Sequence, residues 1–199
     1  MFKDLNKKQF ISLIFLVVVF SGIIGWLYEV GFYYLNGGMD KIYLRGGNFL
    51  PFINIYAYGA LLIMFFTHKH VKSPLKVFLL CVLVTGLLEY FSGFILYGVL
   101  GWNKGWDYNT EIWNFGNIHG YVCLRSVLVF GLSGLFLMYV MIPILLKLVK
   151  SKYSNVVFVI SIILFTLFIG DELYNLIITK IFNLPDAIQI YKSLGFNYM

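Results

Sequence analysis

Five ionisable residues stand where a strongly apolar sequence would be expected to have none. Glu29, Glu89, Asp171 and Glu172 interrupt long hydrophobic stretches, and Arg125 lies just inside another. At the centre of a membrane helix a carboxylate costs roughly 2.5–3.5 kcal/mol on insertion scales, so such groups are normally paired or functional. They can bind a polar or cationic solute, serve as acid–base groups, or hold helices in register through ion pairs. Gly22 and Gly25 share a helical face with Glu29, and Gly86 and Gly93 do so with Glu89. Small residues let a second helix approach closely. Both glutamates are therefore expected to face other helices and not lipid.

His119, close to Asn117 and Arg125, has the chemistry of a base or a ligand, and Asp107 joins Glu29, Glu89 and His119 as an acid–base candidate. A single histidine without a matching His or Cys cluster makes no metal site, so no metal is expected. Cys81 and Cys123 have no CxxC spacing and read as small packing residues. No P-loop, HExxH, GxSxG or Gly-rich dinucleotide motif is present. No cofactor is expected, and the motifs lean against an enzyme without closing the question.

The elements that must position these groups are apolar. Only 12% of the residues are charged, about half the usual share of a soluble domain, and a bilayer removes the need for more. Five apolar segments are predicted as helices: Phe10–Leu35, Pro51–Thr67, Pro74–Leu100, Tyr121–Leu146 and Val156–Ile181. All but the second are long enough, at about 1.5 Å per residue, to cross a hydrocarbon core of about 30 Å. The second is short, begins at a proline and carries Asn54, Tyr56 and Tyr58, the signature of a partial helix packed against protein. The first run is too long for the apolar part of a signal peptide. The tail 183–199 places Leu184, Ile188 and Tyr191 at helical spacing, which suits a segment lying on the membrane surface. The expectation is an all-α, polytopic transmembrane bundle of about five helices, a single domain over residues 1–199, in a bacterial cytoplasmic membrane.

The basic residues give an orientation. Lys3, Lys7, Lys8, Lys69, Lys72, Lys76, Lys147, Lys150 and Lys152 fall on one side, against Lys41, Arg45, Lys104, Arg125, Lys180 and Lys192 on the other. Basic loops stay in the cytoplasm, which puts the N-terminus inside and the C-terminus outside. The net charge of +6 then reflects topology and anionic lipid, not nucleic acid. Trp102, Trp106 and Trp113 gather in the outer loop between the third and fourth segments, as an aromatic belt would. Counting along each helix, Glu29 lies about 28 Å, Glu89 about 22 Å and Glu172 about 24 Å from the inner end, and Arg125 about 6 Å from the outer one. All four land in the outer half. The expected site is an outward-facing polar pocket in which Glu29, Glu89 and Glu172 meet Arg125 and Arg45.

An ordered set of strings carries a resemblance. They are Gly25-Trp26-Leu27-Tyr28-Glu29, Arg45-Gly46, Ile55-Tyr56-Ala57-Tyr58-Gly59-Ala60, Leu88-Glu89-Tyr90, Trp106-Asp107-Tyr108 and Gly120-Tyr121-Val122-Cys123-Leu124-Arg125-Ser126. Together they resemble a bacterial polytopic membrane family, the ABC-transporter permeases of CmpB type, over roughly residues 15 to 147. The family's Pro-Phe-Cys-Pro-Ile-Tyr-Gly string reads Pro51-Phe52-Ile53-Asn54-Ile55-Tyr56-Ala57 here, and its Asn-Gly-Arg before the cysteine reads His119-Gly120-Tyr121. The resemblance implies transport and a separate ATPase partner, with a homo-oligomer as the other assembly to consider. Three functions stay open: a permease-like subunit for a small polar or cationic solute, a membrane enzyme acting on lipid or cell-wall precursors at the outer leaflet, and a structural or sensory partner without a ligand.

Overall fold

In lipid every backbone N–H and C=O must find its partner within the protein, and a helix does this within one segment. The computed structural model, which describes residues 2–35, 47–101 and 106–195, is all-helical in this way. Helix α1 spans Lys7–Leu35, α2 Asn54–Thr67, α3 Pro74–Val99, α4 Leu124–Val149, α5 Ser154–Phe182 and α6 Ala187–Ser193. Helices α1, α3, α4 and α5 are long and apolar enough to cross a membrane. The fifth predicted crossing is α2, and it has only 14 residues, about 21 Å of helix against a core of about 30 Å.

Local chemistry explains where the helices begin. Residues 51–53 precede α2, and the Ile53 N–H, just ahead of the helix, is satisfied by the Gly22 carbonyl of α1 at 3.1 Å. Helix α4 starts at Leu124 and not at Tyr121, because Tyr121 and Val122 are taken up in a turn closed by Ile118 N–H to Val122 O. Cys123 is extended, and its N–H bonds to the Ser126 hydroxyl at 3.3 Å. Helix α6 opens on Asp186, whose carboxylate accepts from Gln189 N–H at 2.8 Å, a standard N-cap.

Three of the long helices widen to i→i+5 bonding for one stretch, at Phe94–Val99, Leu137–Met141 and Tyr174–Ile178. Two have visible causes. Pro143 has no N–H for the Tyr139 carbonyl, and its ring crowds that carbonyl; the widened turn just before it absorbs both. In α5 the Asn175 amide donates to the Asp171 carbonyl at 2.9 Å, so a side chain inserts into the ladder.

The chain divides into two compact units. One comprises Met1–Asp4 and Gly59–Lys147, the other Leu5–Tyr58 and Leu148–Met199. In the first, α3 packs on α4. A side chain at Gly131 would run into Phe78, and one at Gly134 into Cys81, so these glycines set the distance of approach. In the second, α1 packs on α5, with Phe15 stacked on Phe165 at 4.0 Å and Phe52 against Phe168 at 5.0 Å. A side chain at Gly22 would meet Phe52, and one at Gly25 would meet Tyr56. Helix α6 is tied to the same unit through Ala187 N–H to Asn175 Oδ1 at 2.8 Å and Tyr191 Oη to Phe49 O at 3.0 Å.

Candidate functional site

In the first unit the sequence between α3 and α4 is rich in asparagine, glycine and aromatic residues. Asparagine amides do the work that regular structure does elsewhere. Asn114 Nδ2 donates to Tyr108 O at 2.7 Å, Asn117 Nδ2 to Asn109 Oδ1 at 2.9 Å, and Asn117 Oδ1 accepts from Gly120 N–H at 2.8 Å. Tyr108 N–H adds a bond to Gly120 O at 3.0 Å. Gly120 has φ +77°, and a side chain there would strike Asp107 and Asn109. The folded loop delivers Tyr108 to α3.

Glu89 waits on α3, 3% exposed. Tyr108 Oη donates to its Oε1 at 2.7 Å, and Ser126 Oγ, in the first turn of α4, lies 2.6 Å from its Oε2. Gly93, one turn further along α3, gives room for Tyr121, and Gly86 faces Val127. The small-residue face thus lies against the start of α4, and Glu89 points into protein as expected. Arg125 does not bond Glu89. Its Nη2 donates to Glu111 at 2.9 Å, with both side chains largely buried, and its guanidinium lies over the Tyr108 ring at 5.4 Å. Burial, and the Glu89 carboxyl beside it, push the Tyr108 phenol well above its ordinary pKa. Tyr108 therefore stays a hydrogen-bond donor.

The second unit holds a comparable carboxyl. Glu172 on α5 is 5% exposed. Its Oε1 accepts from Asn54 Nδ2 at 2.8 Å and from Tyr58 Oη at 2.9 Å. These donors stand four residues apart and so share one face of α2. Its Oε2 is buried and has no hydrogen-bond partner among the described residues. The neighbouring Asp171 accepts the Phe49 and Leu50 N–H groups at 3.0 and 2.7 Å, a fixing role for the chain that leads into α2. Glu29 accepts from Tyr56 Oη at 3.3 Å.

The predicted site residues thus fall into two groups. Glu89, Asp107, His119 and Arg125 belong to the first unit, Glu29 and Glu172 to the second, and Arg45 lies outside the described residues. So do Lys41, Trp102 and Lys104. Asp107 closes a turn on Asn109, accepting its N–H at 3.1 Å and its amide at 2.9 Å. His119 Nδ1 lies 3.1 Å from Tyr90 Oη, on a backbone with φ 56°. Cys81 and Cys123 are both buried and unbridged. Among the described residues no group of three metal-binding side chains converges.

Sequence reasoning missed Tyr108, Ser126, Glu111, Asn54 and Tyr58 as partners of the acids. The spacing of Asn54 and Tyr58 was a usable signal. That of Tyr108 was not, because its loop is irregular.

Four long apolar helices and carboxyls buried among neutral donors define a polytopic helical membrane protein. Residues 13–176 match the family described as "Putative ABC-transporter type IV", and the chain belongs to that family. No curated protein and no solved structure matches it.

Proposed function

We propose that this chain is a transport-associated subunit of the bacterial cytoplasmic membrane that binds a small polar or cationic solute through the buried carboxyl of Glu172. The observation that carries this reading is Glu172 Oε2, buried and without a hydrogen-bond partner among the described residues. A buried polar atom left unpaired costs about 1–3 kcal/mol, more for a charged group. A solute bearing N–H donors, or a cation, relieves that cost on binding. Family membership supports the transport context. In the orientation set by the basic residues, N-terminus inside and C-terminus outside, Glu172, Glu89 and Glu29 lie in the outer half, and such a solute enters from outside.

The family also supports a separate ATPase partner. The segments on the inner side, residues 68–73 and 150–153, are short, so an ATPase would have to grip helix ends and not extended loops.

The test uses purified protein in detergent with methylammonium and guanidinium as probes, and glycine betaine, which lacks N–H donors, as the contrast. The N–H cations are expected to raise the melting temperature of the wild type more than betaine does, and to lose this effect in Glu172→Gln. No binding to the wild type, or equal binding to the variant, would overturn the assignment.

A further inference from the structure

Hydrogen atoms can be counted around Glu89. A serine hydroxyl has one proton to give and two lone pairs to offer. Ser126 Oγ has three polar neighbours. Cys123 N–H points at it from 3.3 Å and must donate, which takes one lone pair. Cys123 O lies at 2.8 Å and can only accept, which takes the Ser126 proton. The third neighbour is Glu89 Oε2 at 2.6 Å, and what remains on Ser126 is a lone pair. Two oxygens at 2.6 Å need a proton between them, and none is left on the serine.

The other hydroxyl cannot supply it. Tyr108 has one proton, and that proton lies in the 2.7 Å bond to Glu89 Oε1. Three close oxygen–oxygen contacts therefore share two hydroxyl protons. One further proton completes the set, and its place is Glu89 Oε2, donating to Ser126 Oγ.

We infer that Glu89 is a buried proton-binding site, held as a carboxylic acid that accepts from Tyr108 and donates to Ser126. The donation then continues from Ser126 to the Cys123 carbonyl, and each of the oxygens in this relay has its partner. The charged and titratable groups around Glu89 agree with this. Tyr108 from the loop reaches Glu89 as a hydroxyl donor. Arg125 of α4 gives its Nη2 bond to Glu111 of the loop at 2.9 Å, so this cation has its own carboxylate. A neutral Glu89 also avoids placing a charge inside a membrane-crossing helix. The inference concerns a different carboxyl from Glu172 and does not rest on solute binding.

Infrared spectroscopy of the purified protein at neutral pH reads the acid directly. A protonated carboxyl has a C=O stretch apart from the amide bands, and it shifts in D2O. The wild type is expected to show such a band that is lost in Glu89→Gln. In Tyr108→Phe the band should persist and move to higher frequency, because the carbonyl oxygen loses its donor. That second variant decides the matter if Glu89→Gln fails to fold. A wild-type spectrum without the band, or a band unchanged in both variants, would overturn the inference and make the Ser126 hydroxyl a shared donor to an ionised Glu89.

Discussion

Single residues in this protein are constrained by counting donors and acceptors. Tyr108 is the clearest example, because its hydroxyl is buried and aimed at Glu89. Replacing it with phenylalanine removes one donor and leaves a carboxyl oxygen alone, a loss of about 1–3 kcal/mol, to be read in chemical denaturation at neutral pH. The phenol also carries a pH dependence of definite sign. Its folded pKa is raised, so its contribution is fully present below the unfolded value near 10. Above that pH the unfolded chain loses the proton and the folded one keeps it, so stability falls as pH rises. Tyr108→Phe should remove up to about 1.4 kcal/mol per pH unit of that fall. The Arg125–Glu111 pair makes a second prediction. Both partners are largely buried, so Arg125→Gln leaves Glu111 unpaired and should cost roughly 3–5 kcal/mol, while replacing both with apolar residues should cost far less. A double-mutant cycle measures the difference.

At the scale of elements, glycines decide how close helices come. Gly134 has no room for a side chain because Cys81 occupies the space. Gly134→Ala should overpack the α3–α4 contact by about 1–3 kcal/mol, with part of the loss recovered by Cys81→Ala. Thermal melts of the three variants check this. The pairing of glycine faces with Glu29 and Glu89 was legible in the sequence, because helical periodicity and residue size suffice to predict it. The partners across the contact were not. Ser126 is an ordinary helix-start residue until α4 is seen to begin at Leu124. That start depends on a turn between Ile118 and Val122, which apolar periodicity carries no trace of. The widened turns were equally hidden, although Pro143 and Asn175 cause two of them.

For the whole molecule, topology is the property that follows most directly from charge. In intact cells a membrane-impermeant maleimide should label Lys192→Cys and spare Lys3→Cys, over a low background because Cys81 and Cys123 are buried. The reverse pattern would invert the proposed orientation. Four helices are each long enough to cross a core of about 30 Å; termini on opposite sides require in addition that the chain through α2, with 14 residues of helix, completes a fifth passage. Whether a segment is apolar and long enough is a local property, and so the all-helical membrane architecture, the short second helix and the unusual position of the acids could all be read from composition and spacing. What each acid touches is a property of the folded chain. Glu89 takes a tyrosine from a loop 19 residues away and a serine from the next helix. Glu172 takes its donors from α2, more than a hundred residues earlier. Spacing along one helix shows which face a side chain shares, but it holds no information about which distant donor is brought to that face. Only the tertiary structure decided that Arg125 pairs with Glu111, that Glu89 takes its hydrogen bonds from hydroxyl groups, and that one oxygen of Glu172 is left without a partner among the described residues.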